Sequence, residues 1–143
     1  MSNKHLAYQF ADTLNKRDEA AYAALLHPEY HNHNTFATPG KAGSVDVFFK
    51  GFLSALPDFR VSALDVFEDG DTLIGRFAYS GTFLHPLMGY SPNGQTVQMR
   101  SIDLWRVEGG LLAEHWDELN TLEVFMQLGA AQMLAPGSQG GPR

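Results

Sequence analysis

The sequence predicts an α+β fold, with helices first and an antiparallel sheet second, the sheet curved around a pocket. Three observations predict it. Leu6, Phe10 and Leu14 recur at i, i+4 and i+8, the stripe of an amphipathic helix. From Gln95 to Leu119 the chain alternates in the two-residue period of strands. Between these regions, Glu68-Asp69-Gly70-Asp71 and Glu108-Gly109-Gly110 read as tight turns. Helices preceding strands in sequence, rather than alternating with them, indicate α+β.

The elements follow in order. The Leu6 stripe marks the first helix. Asp18 is a candidate N-cap for a second, from Glu19 to about Leu26, and Pro28 marks its end. Ser44 is a candidate cap for a third, with Val45, Phe48, Phe49, Phe52 and Leu56 as a broad apolar stripe stopped by Pro57. Val61 to Phe67 and Thr72 to Thr82 read as two strands around the Glu68–Asp71 turn. Phe83 to Gly94, with two prolines and two glycines, reads as a loop. Gln95 to Val107 and Leu111 to Leu119 form a hairpin. Thr121 to Leu128 is a short closing helix ended by Gly129 at C′. The chain is expected to be a single domain over residues 1–135, with a Gly/Pro-rich, disordered tail at 136–143.

Composition narrows the function. A length of 143 residues is enough for one buried core. A net charge of −6 argues against nucleic acid or an anionic membrane as partner. The absence of cysteine removes disulfides, thiol catalysis and thiolate metal sites. Neither an apolar leader nor a stretch of about 20 apolar residues is present, so a cytoplasmic protein is the expectation.

The hairpin carries the chemistry. Ala113, His115 and Asp117 share one face of its second strand, and Leu112, Glu114, Trp116 and Glu118 share the other. If Val107 pairs with Leu111, Asp103 falls opposite His115 and Ser101 opposite Asp117. Two carboxylates and an imidazole beside Trp105 have the composition of an acid–base site in an apolar pocket. Asp103 is expected to orient His115. Phe52, Tyr79, Trp105 and Met99 are expected to reach the cavity. In Tyr30-His31-Asn32-His33-Asn34, His31 and His33 share a face if extended, and one of them is expected to bind substrate. His-x-His is a weak metal pattern needing further ligands, for which His115 and Asp117 are candidates; no bound metal is expected.

Several short segments, taken in order over roughly residues 5 to 130, resemble the SnoaL-like polyketide cyclases of the nuclear transport factor 2-like superfamily. They are Tyr30 to Asn34, Leu56-Pro57-Asp58-Phe59, Glu68 to Asp71, Ser80-Gly81-Thr82, Met88 to Gly94, Arg106 to Gly110, Glu114-His115-Trp116-Asp117 and Gln127-Leu128-Gly129. The resemblance implies a cone-shaped curved sheet, a cavity free of metal and cofactor, and often a homodimer. It also implies intramolecular aldol closure of a polyketide ring by an aspartate, which maps onto Asp117. Two departures stand out. Asn120 occupies a position where relatives often carry an acidic residue, and Phe83-Leu84-His85-Pro86 makes the pocket mouth more apolar.

The expected mechanism has Asp117 as proton acceptor and His115 as donor to the developing oxyanion. A ligand-binding or accessory protein with the same pocket, or a hydrolase or dehydratase, are the alternatives. Ile102, Leu104, Leu112 and Trp116 leave one sheet face apolar, which predicts a homodimer across it.

Overall fold

The computed structural model describes residues 2–138. Most of the tail expected to be disordered, residues 139–143, lies outside the described residues. Residues 136–138 form a turn in which the Ser138 N–H donates to the Ala135 carbonyl.

Helix α1 (Lys4–Asn15) buries Leu6, Phe10 and Leu14 together with Ala7 and Ala11, the predicted stripe. Phe10 is its anchor. Its ring lies 5.1 Å from that of Phe77 and 5.4 Å from that of Trp105, both on the sheet. Helix α2 (Glu19–Ala24) is capped by Asp18, whose carboxylate accepts the Ala21 N–H at 3.0 Å. It stops earlier than expected, because strand β1 (Leu26–Asn32) begins two residues after it.

The third helical region starts earlier than expected. Helix α3 (Lys41–Asp46) has Gly40 as its N-cap, and Ser44 lies inside it, buried, rather than at its start. A π-helical segment (Val47–Phe52) and a last turn, α4 (Leu53–Ala55), continue it. A π-helical turn is wider than an α turn and recurs at functional sites. Here it carries Phe48, Gly51 and Phe52 onto the cavity wall.

Strands β2 (Arg60–Asp69), β3 (Thr72–Thr82), β4 (Thr96–Glu108) and β5 (Leu111–Leu119) match the predicted strands closely. With β1 they form one curved, unclosed sheet in the order β1-β5-β4-β3-β2. The β2–β5 portion is the expected antiparallel meander. The departure is β1, which was not expected as a strand and joins the edge parallel to β5. On β4 the burial alternates without a break, placing Val97, Met99, Ser101, Asp103, Trp105 and Val107 inside.

The β4–β5 register differs from expectation. Glu108 pairs with Leu111, so Gly109 and Gly110 alone make the turn, at φ 58° and 77°. Positive φ at both central residues is what a two-residue type I′ turn requires. The register then shifts between Arg106 and Val107, where Ala113 is the extra residue of a β-bulge. Asp103 therefore pairs with Asp117, Trp105 with His115 and Ser101 with Leu119. Two one-residue changes displace the register by two, which leaves every residue beyond the bulge on its expected face. Within the bulge the faces do change. Leu112 and Ala113 are both buried, so Leu112 belongs to the core and not to the outer apolar face.

Among the described residues, no helix is long and apolar enough to cross a membrane.

Candidate active site

The concave face of the sheet, the π-helical segment and helix α5 (Thr121–Gln127) enclose a cavity of about 430 Å³. Phe10, Phe48, Phe52, Tyr79, Met99 and Phe125 make its lining predominantly aromatic and apolar. One group of polar residues, Asn32, Asn34, Ser101, Asp103, His115 and Asp117, lies at the end where β1, β5 and β4 run side by side; Asp46 and Lys50, paired at 3.3 Å, line the cavity from the helical side.

Asn32, His115, Asp103 and Ser101 form a continuous chain of hydrogen bonds. His115 Nε2 lies 2.8 Å from Asp103 Oδ1, and His115 Nδ1 lies 2.8 Å from Asn32 Oδ1. The other Asp103 oxygen accepts the Ser101 hydroxyl at 2.6 Å. Ser101 has a single hydrogen and spends it there, so the Tyr79 phenol donates to Ser101 at 2.8 Å. Asn32 Nδ2 donates to Ser44 Oγ at 2.9 Å, which gives the buried Ser44 its role. Among the described residues, no buried side-chain nitrogen or oxygen lacks a partner.

Asp117 stands apart from this chain, held by Asn34, whose amide nitrogen lies 2.9 and 3.0 Å from the two carboxylate oxygens. Burial pushes the Asp117 carboxyl above the usual carboxylate range, against the opposing pull of His115 and Asn34. Burial likewise pushes the Tyr30 and Tyr79 phenols well up, so both keep their protons as donors.

Of the expected site residues, Asp103, His115 and Asp117 come together at the polar end, and Phe52, Tyr79 and Met99 line the cavity. Trp105 is fully buried and does not line it. It supports the site from beneath, with its ring stacked on His115 at 5.3 Å. His31 and His33 correct the expectation: both are exposed on the outer face of β1. There His33 Nε2 donates to the Glu114 carboxylate at 2.7 Å, and the ring stacks on Trp116 at 4.8 Å. The residues between and beside them, Asn32 and Asn34, are the ones in the cavity. Their parity was available from Leu26 and Tyr30, even-numbered apolar residues of the same strand that face the core. Asn120 lies at the start of α5, outside the cavity, where its side chain accepts the Arg100 N–H at 2.7 Å.

Asp103, His115 and Asp117 each offer a ligand atom within 4.8 Å of the others. A cation there would have to displace one of the two bonds that occupy the His115 nitrogens. His31 and His33, on the far side of the strand, cannot complete the set. The expected role of His115 as donor to the substrate changes for the same reason, since neither nitrogen faces the cavity unpaired.

The family model for SnoaL-like polyketide cyclases matches residues 5–128. Among solved structures, TsrD from Streptomyces laurentii is 30% identical, with a TM-score of 0.80, over 89% of this chain and 94% of that one. AclR from Streptomyces galilaeus, described as a candidate hydroxylase, is 22% identical, with a TM-score of 0.81, over 94% and 89% of the two chains. A SnoaL-like polyketide cyclase from Agrobacterium tumefaciens is 21% identical, with a TM-score of 0.73, over 90% and 99%. No curated protein sequence matches the chain. The family match supports a family of cyclase type, and these neighbours share its fold. The chain belongs to the SnoaL-like polyketide cyclases.

Proposed function

We propose that the protein closes a ring in a hydrophobic, polyketide-like carbonyl compound by acid–base chemistry on Asp117. One observation carries this reading: a half-buried carboxylate with a raised pKa faces an aromatic cavity, beside a buried histidine–carboxylate pair. The carbonyl end of the ligand lies at the polar end, and its apolar body lies along Phe48, Phe52 and Phe125. Asp117 takes the proton from carbon next to a carbonyl. The resulting enolate attacks a second carbonyl carbon, forming the carbon–carbon bond. The alkoxide so formed recovers the proton from the Asp117 carboxyl, and the sum is an isomerisation. Asp117 returns the proton it took; in its cluster Ser101 and both His115 nitrogens are engaged elsewhere. A raised pKa suits both halves of that cycle.

Asp117→Asn tests the reading, assayed with 1,3-diketone and ester substrates of polyketide type. Lost turnover with retained folding supports it. Turnover near wild type places the base elsewhere. The apolar lining also suits a ligand-binding role without chemistry. That role gains if no such substrate turns over while calorimetry with the same compounds still reports binding.

We also infer a homodimer across the outer sheet face. Register aligns Phe67, Ile74, Leu104 and Trp116 in one row across four strands, with Phe67 59% and Trp116 38% exposed. An apolar row of this kind on a monomer marks a contact surface.

A further inference from the structure

We infer that Asn32 is a positioning residue that fixes the hydrogen on His115 Nδ1. It thereby closes the His115–Asp103 pair off from the ligand and leaves Asp117 as the carboxylate that the strand-lined end of the cavity presents to it. The inference rests on the proposed acid–base reading but concerns the free protein.

The Asn34 backbone N–H donates to Asn32 Oδ1 at 2.9 Å. A backbone N–H can only donate, so the atom facing it must be the oxygen. That same oxygen faces His115 Nδ1 at 2.8 Å. Turning the amide over would set its NH₂ against the Asn34 N–H, donor against donor. Ser44 Oγ, 2.9 Å from Asn32 Nδ2, holds the other end. An oxygen that only accepts requires a hydrogen on Nδ1, whatever protonation state the ring takes.

The second nitrogen follows. With Nδ1 hydrogenated, a neutral ring has Nε2 as an acceptor, and Nε2 lies 2.8 Å from Asp103 Oδ1. One proton therefore sits between the two, on one or the other. Asp103 cannot turn away to release it, because Ser101, backed by Tyr79, holds its other oxygen. The groups facing His115 are Asn32 and Tyr30 from β1, Asp103 and Trp105 from β4, and Asp117 from its own strand, β5. Of these only Asp117 has its carboxylate outside the closed chain, held by Asn34 alone among the side chains. One short segment thus sets both halves of the site. Asn32 fixes the imidazole, and Asn34 orients Asn32 through its backbone and Asp117 through its side chain.

The test is the imidazole nitrogen spectrum of the unliganded protein, labelled with ¹⁵N-histidine and read near neutral pH by long-range ¹H–¹⁵N correlation. In wild type, His115 Nδ1 is expected at the shift of a protonated nitrogen. Asn32→Leu removes the acceptor, and the ring is expected to change to the tautomer protonated at Nε2 alone. Asn32→Asp keeps an acceptor and is expected to restore hydrogen at Nδ1. A wild-type spectrum with Nδ1 unprotonated overturns the inference without any variant, even if Asn32→Leu fails to fold. A folded Asn32→Leu protein with an unchanged tautomer overturns it as well. Should Asp117→Asn prove fully active while His115 shows the expected spectrum, the cyclase reading falls and the role of Asn32 stands.

Discussion

The same three strands carry an imidazole–carboxylate pair on each of their two faces. On the inner face, His115 and Asp103 lie 2.8 Å apart with side chains 10% and 3% exposed. On the outer face, His33 and Glu114 lie 2.7 Å apart with side chains 37% and 25% exposed. By distance the two pairs are equivalent. They differ in what surrounds them. The inner pair is closed by Asn32 and Ser101 and stacked on Trp105. The outer pair opens to solvent and shares Glu114 with Arg106, and these two neighbours hold the Glu114 carboxyl below its usual range. Next to the inner pair, burial drives Asp117 in the opposite direction. A histidine beside a carboxylate is therefore not in itself a site. The low-dielectric wall and the accounted-for hydrogen bonds separate chemistry from surface charge.

Breaking the inner face should have the largest effect. Asp117→Asn is expected to lower kcat by ~10²–10⁴-fold, the worth of a positioned general base, with a near-wild-type circular dichroism spectrum. Asp103→Ala leaves His115 without its partner in the core. Removing one member of a buried pair costs about 3–5 kcal/mol, which chemical denaturation would register directly. The matching outer substitution, His33→Ala, is expected to leave both turnover and melting temperature close to wild type. A large loss of activity there would erase the distinction between the two faces.

Trp116→Lys on the outer face separates assembly from catalysis. Light scattering is expected to show a dimer for wild type and a monomer for this variant. A monomeric wild type at micromolar concentration would remove the dimer.

The smallest effect concerns pH. The Asp117 pKa is higher in the folded than in the unfolded chain, so the protonated form favours the fold. That contribution is complete below the ordinary carboxylate value and is lost as pH rises through the folded value. Asp117→Asn does not titrate. Its stability relative to wild type should therefore increase from acid to neutral pH, measured by thermal melts at matched pH. A stability of Asp117→Asn relative to wild type that falls over this range would contradict a raised Asp117 pKa.

Much of this architecture was legible in the sequence because burial sets side-chain period directly. The Leu6–Phe10–Leu14 stripe and the alternation of β4 needed no tertiary information. The exact register did not follow, because a glycine pair closing a tighter turn and a bulge at Ala113 leave no trace in an alternating pattern. Their displacements summed to two, which is why the inner faces of β4 and β5 were still identified. Strand β1 was hidden by Pro28, which reads as a helix stop but is tolerated on an edge strand. With the strand unrecognised, the two histidines drew more notice than the asparagines between and beside them. The contact that orients Asn32, the Asn34 backbone N–H two residues on, is local and of a kind asparagine favours; its tertiary partners, Ser44 and His115, have no sequence signature.

The central claim is that Asp117 removes a proton from carbon inside the cavity. The most direct measurement is exchange of the α-carbon hydrogen of a hydrophobic 1,3-diketone in D₂O, followed by proton NMR with wild type, Asp117→Asn and His33→Ala. The account predicts accelerated exchange with wild type and His33→Ala, and loss of that acceleration with Asp117→Asn. Exchange by Asp117→Asn at the wild-type rate would contradict it.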